Sequence, residues 1–201
     1  KDALELNKLA KNKKVNLYVG HLLLFHPAYL KIKQMIENNS IGEIEYIYSN
    51  RLNLGTIRKD ENVFWSFAPH DIALIQFFLN SFPNSISSDG SAIIRKNIHD
   101  STITCLKYDN GVMAHIFVSW LHPYKEHKFI IIGSKGMISF EDSLKDKPLI
   151  YYDKKVDWID GETIPHQGSS HNVTYDNTSA LENELIYFLD TLDKYPIKKI
   201  N

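Results

Sequence analysis

The second half of this 201-residue chain is dominated by short segments in which apolar and polar residues alternate. Alternation with a period of two is typical of half-buried β-strands, because successive side chains point to opposite faces of a sheet. The candidate strands are residues 85–91, 101–108, 112–120, 128–133, 137–140 and 149–152. Asp109-Asn110-Gly111 and Ser134-Lys135-Gly136 separate consecutive segments as tight turns, and such short connections join antiparallel neighbours. The pattern therefore predicts an antiparallel meander.

Helical patterns precede and follow the meander. Pro27 suits the first turn of a helix whose apolar residues recur at helical spacing up to Ile36. Residues 44–54 alternate as a long strand, and residues 72–79 return to helical spacing. Ser179, with Glu182 three positions later, forms a capping box ahead of a last helix. Helices that flank a run of antiparallel strands indicate an α+β domain.

The first twenty residues read differently from the rest. A short helical pattern is followed by the strand-like run Val15-Asn16-Leu17-Tyr18-Val19-Gly20. Helix, tight turn and strand are half of a doubly wound α/β unit, and one such pair cannot bury both of its faces. We therefore interpret residues 1–20 as the tail of a larger α/β domain and residues 21–201 as a separate α+β domain.

Composition excludes several classes of partner. The net charge is −1 and the pI is about 6.8, so no charge field favours nucleic acid or an anionic membrane as the main partner. No stretch approaches the ~20 apolar residues of a membrane span. Cys105 is the only cysteine, which rules out an intrachain disulfide and fits a reducing compartment. We expect a cytoplasmic protein.

The stretch from Asn62 to Asp71 holds the best candidate for chemistry. Pro69 suits position N1 of the following helix, which would place His70 in the first turn near the positive end of the helix dipole. A cation is disfavoured there, so the imidazole should stay neutral and able to accept a proton at pH 7. Asp71 is adjacent in sequence but projects about 100° away on a helix. The alternative is a partly buried histidine that caps or packs.

Four further side chains are candidates for contact with a substrate. Arg51 and Asn53 lie two apart near a strand end and so face the same way, and arginine suits phosphate or carboxylate. Trp65 either stacks on a ligand ring or fills the core. Lys125 lies in the connection His122-Pro123-Tyr124-Lys125-Glu126-His127 and either faces a ligand or is solvated. The polar residues 153–177 are read as an irregular functional or mobile segment.

Known catalytic and metal motifs are missing from the sequence. The nine histidines are scattered, without the spacing of zinc ligands on a helix, so we expect no metal site. The chain contains no G-x-S-x-G elbow for a serine nucleophile. It also contains neither a P-loop nor a G-x-G-x-x-G loop to hold phosphates.

A series of short motifs resembles the Gfo/Idh/MocA oxidoreductases. In chain order they are Val19-Gly20-His21, Phe25-His26-Pro27, Ile41-Gly42-Glu43-Ile44, Ser49-Asn50-Arg51-Leu52-Asn53-Leu54-Gly55, Trp65-Ser66-Phe67-Ala68-Pro69-His70-Asp71 and Gly133-Ser134-Lys135-Gly136-Met137. The closer likeness is to UDP-N-acetylglucosamine and UDP-N-acetylglucosaminuronate 3-dehydrogenases. The resemblance implies a Rossmann domain that binds NAD or NADP, followed by an α+β domain with an open, mostly antiparallel sheet that binds the sugar and forms homo-oligomer contacts.

Individual roles follow from the same resemblance. The catalytic histidine of the family matches His70, as the base that takes a hydroxyl proton while hydride leaves the sugar carbon. His21 is placed on the cofactor side. The family's Glu-Lys-Pro motif, with its catalytic lysine, would precede Lys1. Two departures are Ser66, where many members carry an aspartate, and Leu24, where many carry an arginine.

The expected function is the substrate-binding part of an NAD(P)-dependent dehydrogenase acting on a UDP-N-acetyl sugar. One alternative is a sugar-binding or assembly module without catalysis. Another is a different reductase or dehydrogenase of the same superfamily, with biliverdin-reductase-like or dihydrodiol-dehydrogenase-like chemistry.

Overall fold

The computed structural model describes residues 2–196, which form four α-helices and one eight-stranded sheet. The helices are α1 (Asp2–Lys13), α2 (Pro27–Glu37), α3 (Val63–Leu79) and α4 (Ala180–Thr191), with a short 3-10 helix at Leu22–Phe25. The strands are β1 (Ile44–Leu52), β2 (Ser85–Ser91), β3 (Ser101–Lys107), β4 (Met113–Ser119), β5 (Glu126–Gly133), β6 (Met137–Glu141), β7 (Leu149–Ile159) and β8 (Glu162–Asn172).

The sheet runs in the order β2-β3-β4-β1-β5-β6-β7-β8, and only the β1–β4 pair is parallel. This confirms the predicted α+β class with an open, mostly antiparallel sheet. The meander is not continuous, however, because β1 is inserted between β4 and β5. Tyr48 of this central strand faces His115 of β4 on one side and Ile130 of β5 on the other.

The core lies between one face of the sheet and helices α2 and α3. It contains fully buried residues from both layers, among them Ile47, Ile116, Ile131, Ile32, Leu74 and Ile75. Along β1 the side chains of Ile47, Ser49 and Arg51 share the helix-covered face, because alternate residues of a strand point the same way. That alternation brings Arg51 against α3.

The opposite face of the sheet carries no helix among residues 2–196. At its centre the Tyr48 ring stacks on His115 with ring centroids 5.2 Å apart and planes 13° from parallel. The hydroxyl of Tyr46 hydrogen bonds Nδ1 of the same histidine. We call this side of the sheet the open face.

Two local predictions were wrong, and a third stays a prediction. Residues 15–20 have no strand beside them in the described chain, and their predicted strand belongs to the larger α/β domain. Residues 153–177 are not irregular, because β7 and β8 form a long hairpin across most of them. Helix α3 begins at Val63, capped by the Asn62 side chain that accepts from the Trp65 N–H (3.0 Å), so Pro69 lies inside the helix.

The assignment of residues 1–20 to the tail of a Rossmann domain stays a prediction. Within the described residues, α1 buries only Ala10. Helix α4 is also unusual, because its buried residues are Glu184 and Thr191. Its predicted apolar stripe is exposed, and it consists of Leu181, Leu185, Phe188, Leu189 and Leu192. No helix among residues 2–196 is long and apolar enough to cross a membrane.

Candidate active site

The candidate residues gather at the end of the sheet where β1 ends. Arg51 lies at the end of β1, and Asn53 follows it with its backbone N–H donating to the Ser119 carbonyl (3.1 Å). Lys125 directly precedes β5, and Trp65 lies in the first turn of α3. His70 projects from the second turn of the same helix. The sheet and α3 therefore bring Arg51 to His70, whereas the only ring contact of Trp65 among the described residues is with Phe64.

Arg51 and Asp71 form a buried, two-pronged ion pair. Arg51 donates from Nε to Oδ2 and from Nη2 to Oδ1 of Asp71, each over 3.0 Å, and both residues are buried. The Ser49 hydroxyl adds a third bond to Asp71 Oδ1 (2.7 Å). Burial alone would lower the pKa of Arg51, but the Asp71 carboxylate outweighs it and raises that pKa above its ordinary value. The guanidinium is therefore permanently charged and held by the protein, and its contact with substrate stays a prediction.

His70 is adjacent to this pair and is half-buried. Its Nδ1 is buried without a hydrogen-bond partner among the described residues. Burial lowers the pKa of His70, the positive charge of Arg51 lowers it further, and the Asp71 carboxylate acts in the opposite direction. The low pKa that was predicted for His70 therefore has a different cause. Burial and the charge of Arg51 lower it, and not the positive end of a helix dipole.

Two further side chains, His21 and Glu184, act on His70 through their charges. A positive charge on His21 would lower the pKa of His70, whereas the Glu184 carboxylate raises it. Glu184 also accepts a hydrogen bond from the Tyr18 hydroxyl (3.1 Å), and Oε1 would lie 3.4 Å from a Cβ placed on Gly20. The segment that precedes the 3-10 helix is therefore tied to α4 next to His70.

His127 was placed in the connection before β5, as a histidine that could face a ligand, but its place beside Arg51 was not predicted. It lies directly opposite Arg51 in the β1–β5 ladder, where the two residues are paired in register. Burial lowers its pKa to about 4, helped by the charges of Arg51 and Lys125. Its position could have been found by starting β5 two residues earlier, which makes His127 alternate with the buried Phe129 and Ile131. Glu184 had a weak signal too, because it lies three residues after Leu181 and four before Phe188, at the spacing of the α4 stripe.

Trp65 is not a core residue. Its side chain is 68% exposed, with only an edge-to-face contact to the neighbouring Phe64. This leaves the indole free to stack on a ligand ring, which stays a prediction. Lys125 is exposed as well, and Asn53 is half-buried. Among residues 2–196 no three His, Cys, Asp or Glu side chains are grouped so that they could hold a metal ion.

Residues 29–139 match the family described as the GFO/IDH/MocA C-terminal domain, and the chain belongs to this family. It is 24% identical over 198 residues to an inositol 2-dehydrogenase of Rhizobium meliloti, covering 93% of this chain and 58% of that protein. The chain spans about half the length of the curated relatives it matches.

Two solved structures show the same fold. UDP-N-acetylglucosamine 3-dehydrogenase GnnA from Acidithiobacillus ferrooxidans has a TM-score of 0.78 at 20% identity, covering 94% of this chain and 57% of that one. The WlbA dehydrogenase from Bordetella pertussis, solved with NADH and UDP-GlcNAcA, has a TM-score of 0.62 at 19% identity, covering 71% and 49%. At these identities the likeness concerns the fold.

Proposed function

We propose that this chain is the substrate-binding part of an NAD(P)-dependent dehydrogenase that oxidises a hydroxyl of a UDP-N-acetyl sugar, with His70 as the proton acceptor. The observation that carries the proposal is the placement of His70, a half-buried imidazole whose Nδ1 has no hydrogen-bond partner among the described residues and which lies beside a fixed ion pair. Burial and the charge of Arg51 lower its pKa. Family membership supports the reaction class, and the fold shared with the two nucleotide-sugar dehydrogenases supports the substrate class.

The environment of His70 suits a general base. A base works best when its pKa lies near or below the operating pH, so that it is deprotonated before the reaction. Burial and Arg51 keep His70 neutral, while Asp71 and Glu184 stabilise the imidazolium that forms once it takes the hydroxyl proton. Arg51 and Asp71 also fix the second turn of α3 against β1, which holds the imidazole in place.

The residues present fit only part of a nicotinamide cofactor. The sequence has no glycine-rich loop for the pyrophosphate, so these 201 residues do not supply the phosphate site. His21, whose charge acts on His70, is the residue we place on the cofactor side. When bound, NAD or NADP would supply the hydride acceptor. The part of this chain is to bind the sugar, to orient it and to receive the proton at His70.

Substrate contacts are proposed for side chains at the same end of the sheet. The exposed indole of Trp65 is available to stack on a planar ring of the substrate. Lys125 is available to pair with a phosphate, and the amide of Asn53 to bond a hydroxyl. Arg51 remains a candidate, although Asp71 already occupies its Nε and Nη2.

Two further properties are part of the proposal. The open face is available for association with a second copy, so we propose a homo-oligomer formed through the sheet. We also propose a cytoplasmic location, without nucleic acid or membrane as partner, as the near-neutral charge and single cysteine predict.

The test uses the full-length protein and follows NADH or NADPH formation. Turnover is measured with UDP-N-acetylglucosamine, UDP-N-acetylglucosaminuronate and myo-inositol as substrates. His70→Ala should reduce kcat by about 10²–10⁴-fold, the usual contribution of a positioned base. His171→Ala, at an exposed histidine of β8, is the matched control and should leave kcat unchanged.

Each part of the proposal can fail separately. Undiminished turnover by His70→Ala would remove His70 from the mechanism. Turnover of myo-inositol alone would overturn the nucleotide-sugar assignment and leave the dehydrogenase assignment standing. If no turnover is seen with any of the three substrates and either cofactor, the non-catalytic alternative would be favoured.

A further inference from the structure

The hairpin of β7 and β8 extends beyond the body of the sheet. β6 pairs with β7 only from Met137 opposite Tyr152 to Phe140 opposite Leu149, so the rest of β7 has β8 as its single partner. We call residues 153–167 the arm. Its tip is an Asp160-Gly161 turn with φ of 52° and 85°, the signs that a type I′ hairpin turn requires. The arm leaves the sheet at the end where β1 begins, away from His70.

The two faces of the arm differ in chemistry. One face carries two ion pairs: His166 Nε2 of β8 lies 3.3 Å from Asp153 Oδ2 of β7, and within β7 Lys155 Nζ lies 3.2 Å from Asp157 Oδ1. The other face carries Val156 opposite Pro165 and then Trp158. Trp158 is 74% exposed and Val156 is 53% exposed. The face of Val156 and Trp158 also carries Lys154, and the ion-paired face also carries Ile159 and Ile164, but the most exposed apolar side chain of the arm, Trp158, lies on the first of these faces.

We propose that the arm clasps a second copy of this chain, with Val156 and Trp158 packed against that copy. The inference rests on the proposed self-association through the open face. A second copy is supported as the occupant because the face of the arm that carries Val156 and Trp158 is continuous with the open face. Tyr152 lies on the open face opposite Met137, and Val156 and Trp158 follow it at even spacing along β7, so they continue that face. A second copy seated on the open face would meet the arm next.

The size of the surface also favours a second copy. Eight strands spaced ~4.8 Å apart and about seven residues long at ~3.4 Å per residue give an open face of roughly 900 Å². A stable interface buries about 800 Å² on each partner, so the open face is of the size that a dimer requires. Most of its central residues are apolar or aromatic, among them Tyr46, Tyr48, Phe117, Ile130, Ile132, Met137 and Ile150.

The arm itself needs a partner. An isolated two-stranded hairpin is marginally stable in water, because it has no layer against which to bury its side chains. A second copy of this chain would cover Trp158 without disturbing the ion pairs on the opposite face of the arm. Aromatic side chains that become buried in this way dominate the energy of many interfaces.

A matched pair of substitutions tests the inference in the full-length protein. Val156→Lys alters the apolar face, and Ile164→Lys alters the charged face of the same arm, where Ile164 is 44% exposed. Sedimentation equilibrium gives the dimer Kd of each variant. We expect Val156→Lys to raise Kd about tenfold or more, which corresponds to the loss of a substantial interface contact. Ile164→Lys should leave Kd within about twofold, since its face is turned to solvent.

A measurement on the unmodified protein removes the risk that a variant fails to fold. Hydrogen exchange of the amides in residues 153–167 should slow as the protein concentration rises through the dimer Kd. Ile130→Lys, at the centre of the open face, separates the arm from the sheet.

Each outcome decides between the ideas. Concentration-dependent protection of the arm, together with weaker association only for Val156→Lys and Ile130→Lys, supports the clasp. Loss of association in Ile130→Lys alone overturns the clasp and keeps the open-face dimer. If Val156→Lys and Ile164→Lys weaken dimerisation equally, the assignment of faces is wrong. If the wild-type protein is a monomer, both the clasp and the open-face dimer are overturned. The dehydrogenase assay tests His70, which lies at the other end of the sheet. A failure of the proposed function is therefore distinguished from a failure of the clasp.

Discussion

Replacing Asp71 with asparagine should destabilise the domain strongly while changing its shape very little. The carboxylate accepts three hydrogen bonds: two from Arg51 over 3.0 Å and one from Ser49 over 2.7 Å. An amide of the same size offers one acceptor and turns an NH₂ donor towards these donors. The Arg51 charge would then stay buried without a counter-ion, and breaking a buried pair in this way costs about 3–5 kcal/mol. That is a large part of the ~5–15 kcal/mol by which a typical domain is stable.

Urea unfolding gives the free energies for a double-mutant cycle. Asp71→Asn and Arg51→Met are measured alone and together, and Asp89→Asn on the exposed strand β2 is the control, expected within about 0.5 kcal/mol of wild type. The double variant should lose at least about 1 kcal/mol less than the sum of the single losses, since it leaves no unpaired charge. Additive losses, or a loss below about 1 kcal/mol for Asp71→Asn, would refute the account of the pair as a coupled anchor.

The remaining predictions concern pH, the exposed indole and two glycines. The pKa of His127 is lowered to about 4 in the folded state, so the unfolded state binds more protons between pH 4 and the ordinary value near 6.5. Stability should therefore fall as the pH drops through this window, and His127→Gln should flatten the slope in unfolding titrations. Because Asp71 raises the pKa of His70, Asp71→Asn should move the acid limb of the kcat/KM profile of the full-length enzyme to lower pH. Trp65→Ala should raise KM for the substrate and shift the unfolding free energy by less than about 0.5 kcal/mol, and an unchanged KM would remove Trp65 from the site. Gly133→Ala should destabilise far more than Gly161→Ala in thermal unfolding: a Cβ on Gly133 would lie 2.3 Å from the Ile41 carbonyl oxygen, whereas Gly161 has open space and only a φ of 85°, a strain of about 1–2 kcal/mol.

Local pattern was enough to predict most individual strands. β2 spans residues 85–91 as expected, and the Asp109-Asn110-Gly111 turn joins β3 to β4. The arm was missed although Asp160-Gly161 marks its turn, because charged residues alternate with Val156 and Trp158 and give the segment a polar average. The place of β1 between β4 and β5 could not be predicted, because alternation defines the faces of a strand and carries no information about its neighbours.

The candidate site was predicted in part. The position of His70 was found from sequence, but the start of its helix was wrong, because Pro69 suits N1 so well that the true cap at Asn62 was overlooked. The burial of Arg51 depends on a carboxylate from α3, and no pattern within β1 reveals such a partner. Glu184 approaches His70 only through the packing of α4 against residues 18–20, which is a long-range property of the fold.

The central position of β1 also constrains the order of folding. The strand pairs with β4 and β5, which are synthesised only after α3, β2 and β3. Until then an apolar segment with two tyrosines, Ile44–Leu52, has neither of its neighbours, and contacts between distant segments close slowly because the intervening loop must be ordered first. The hairpins β3–β4 and β5–β6 can form from local contacts, so we expect β1 to enter late, between two preformed halves. We therefore expect the Arg51–Asp71 pair, and with it the geometry around His70, to be completed late in folding.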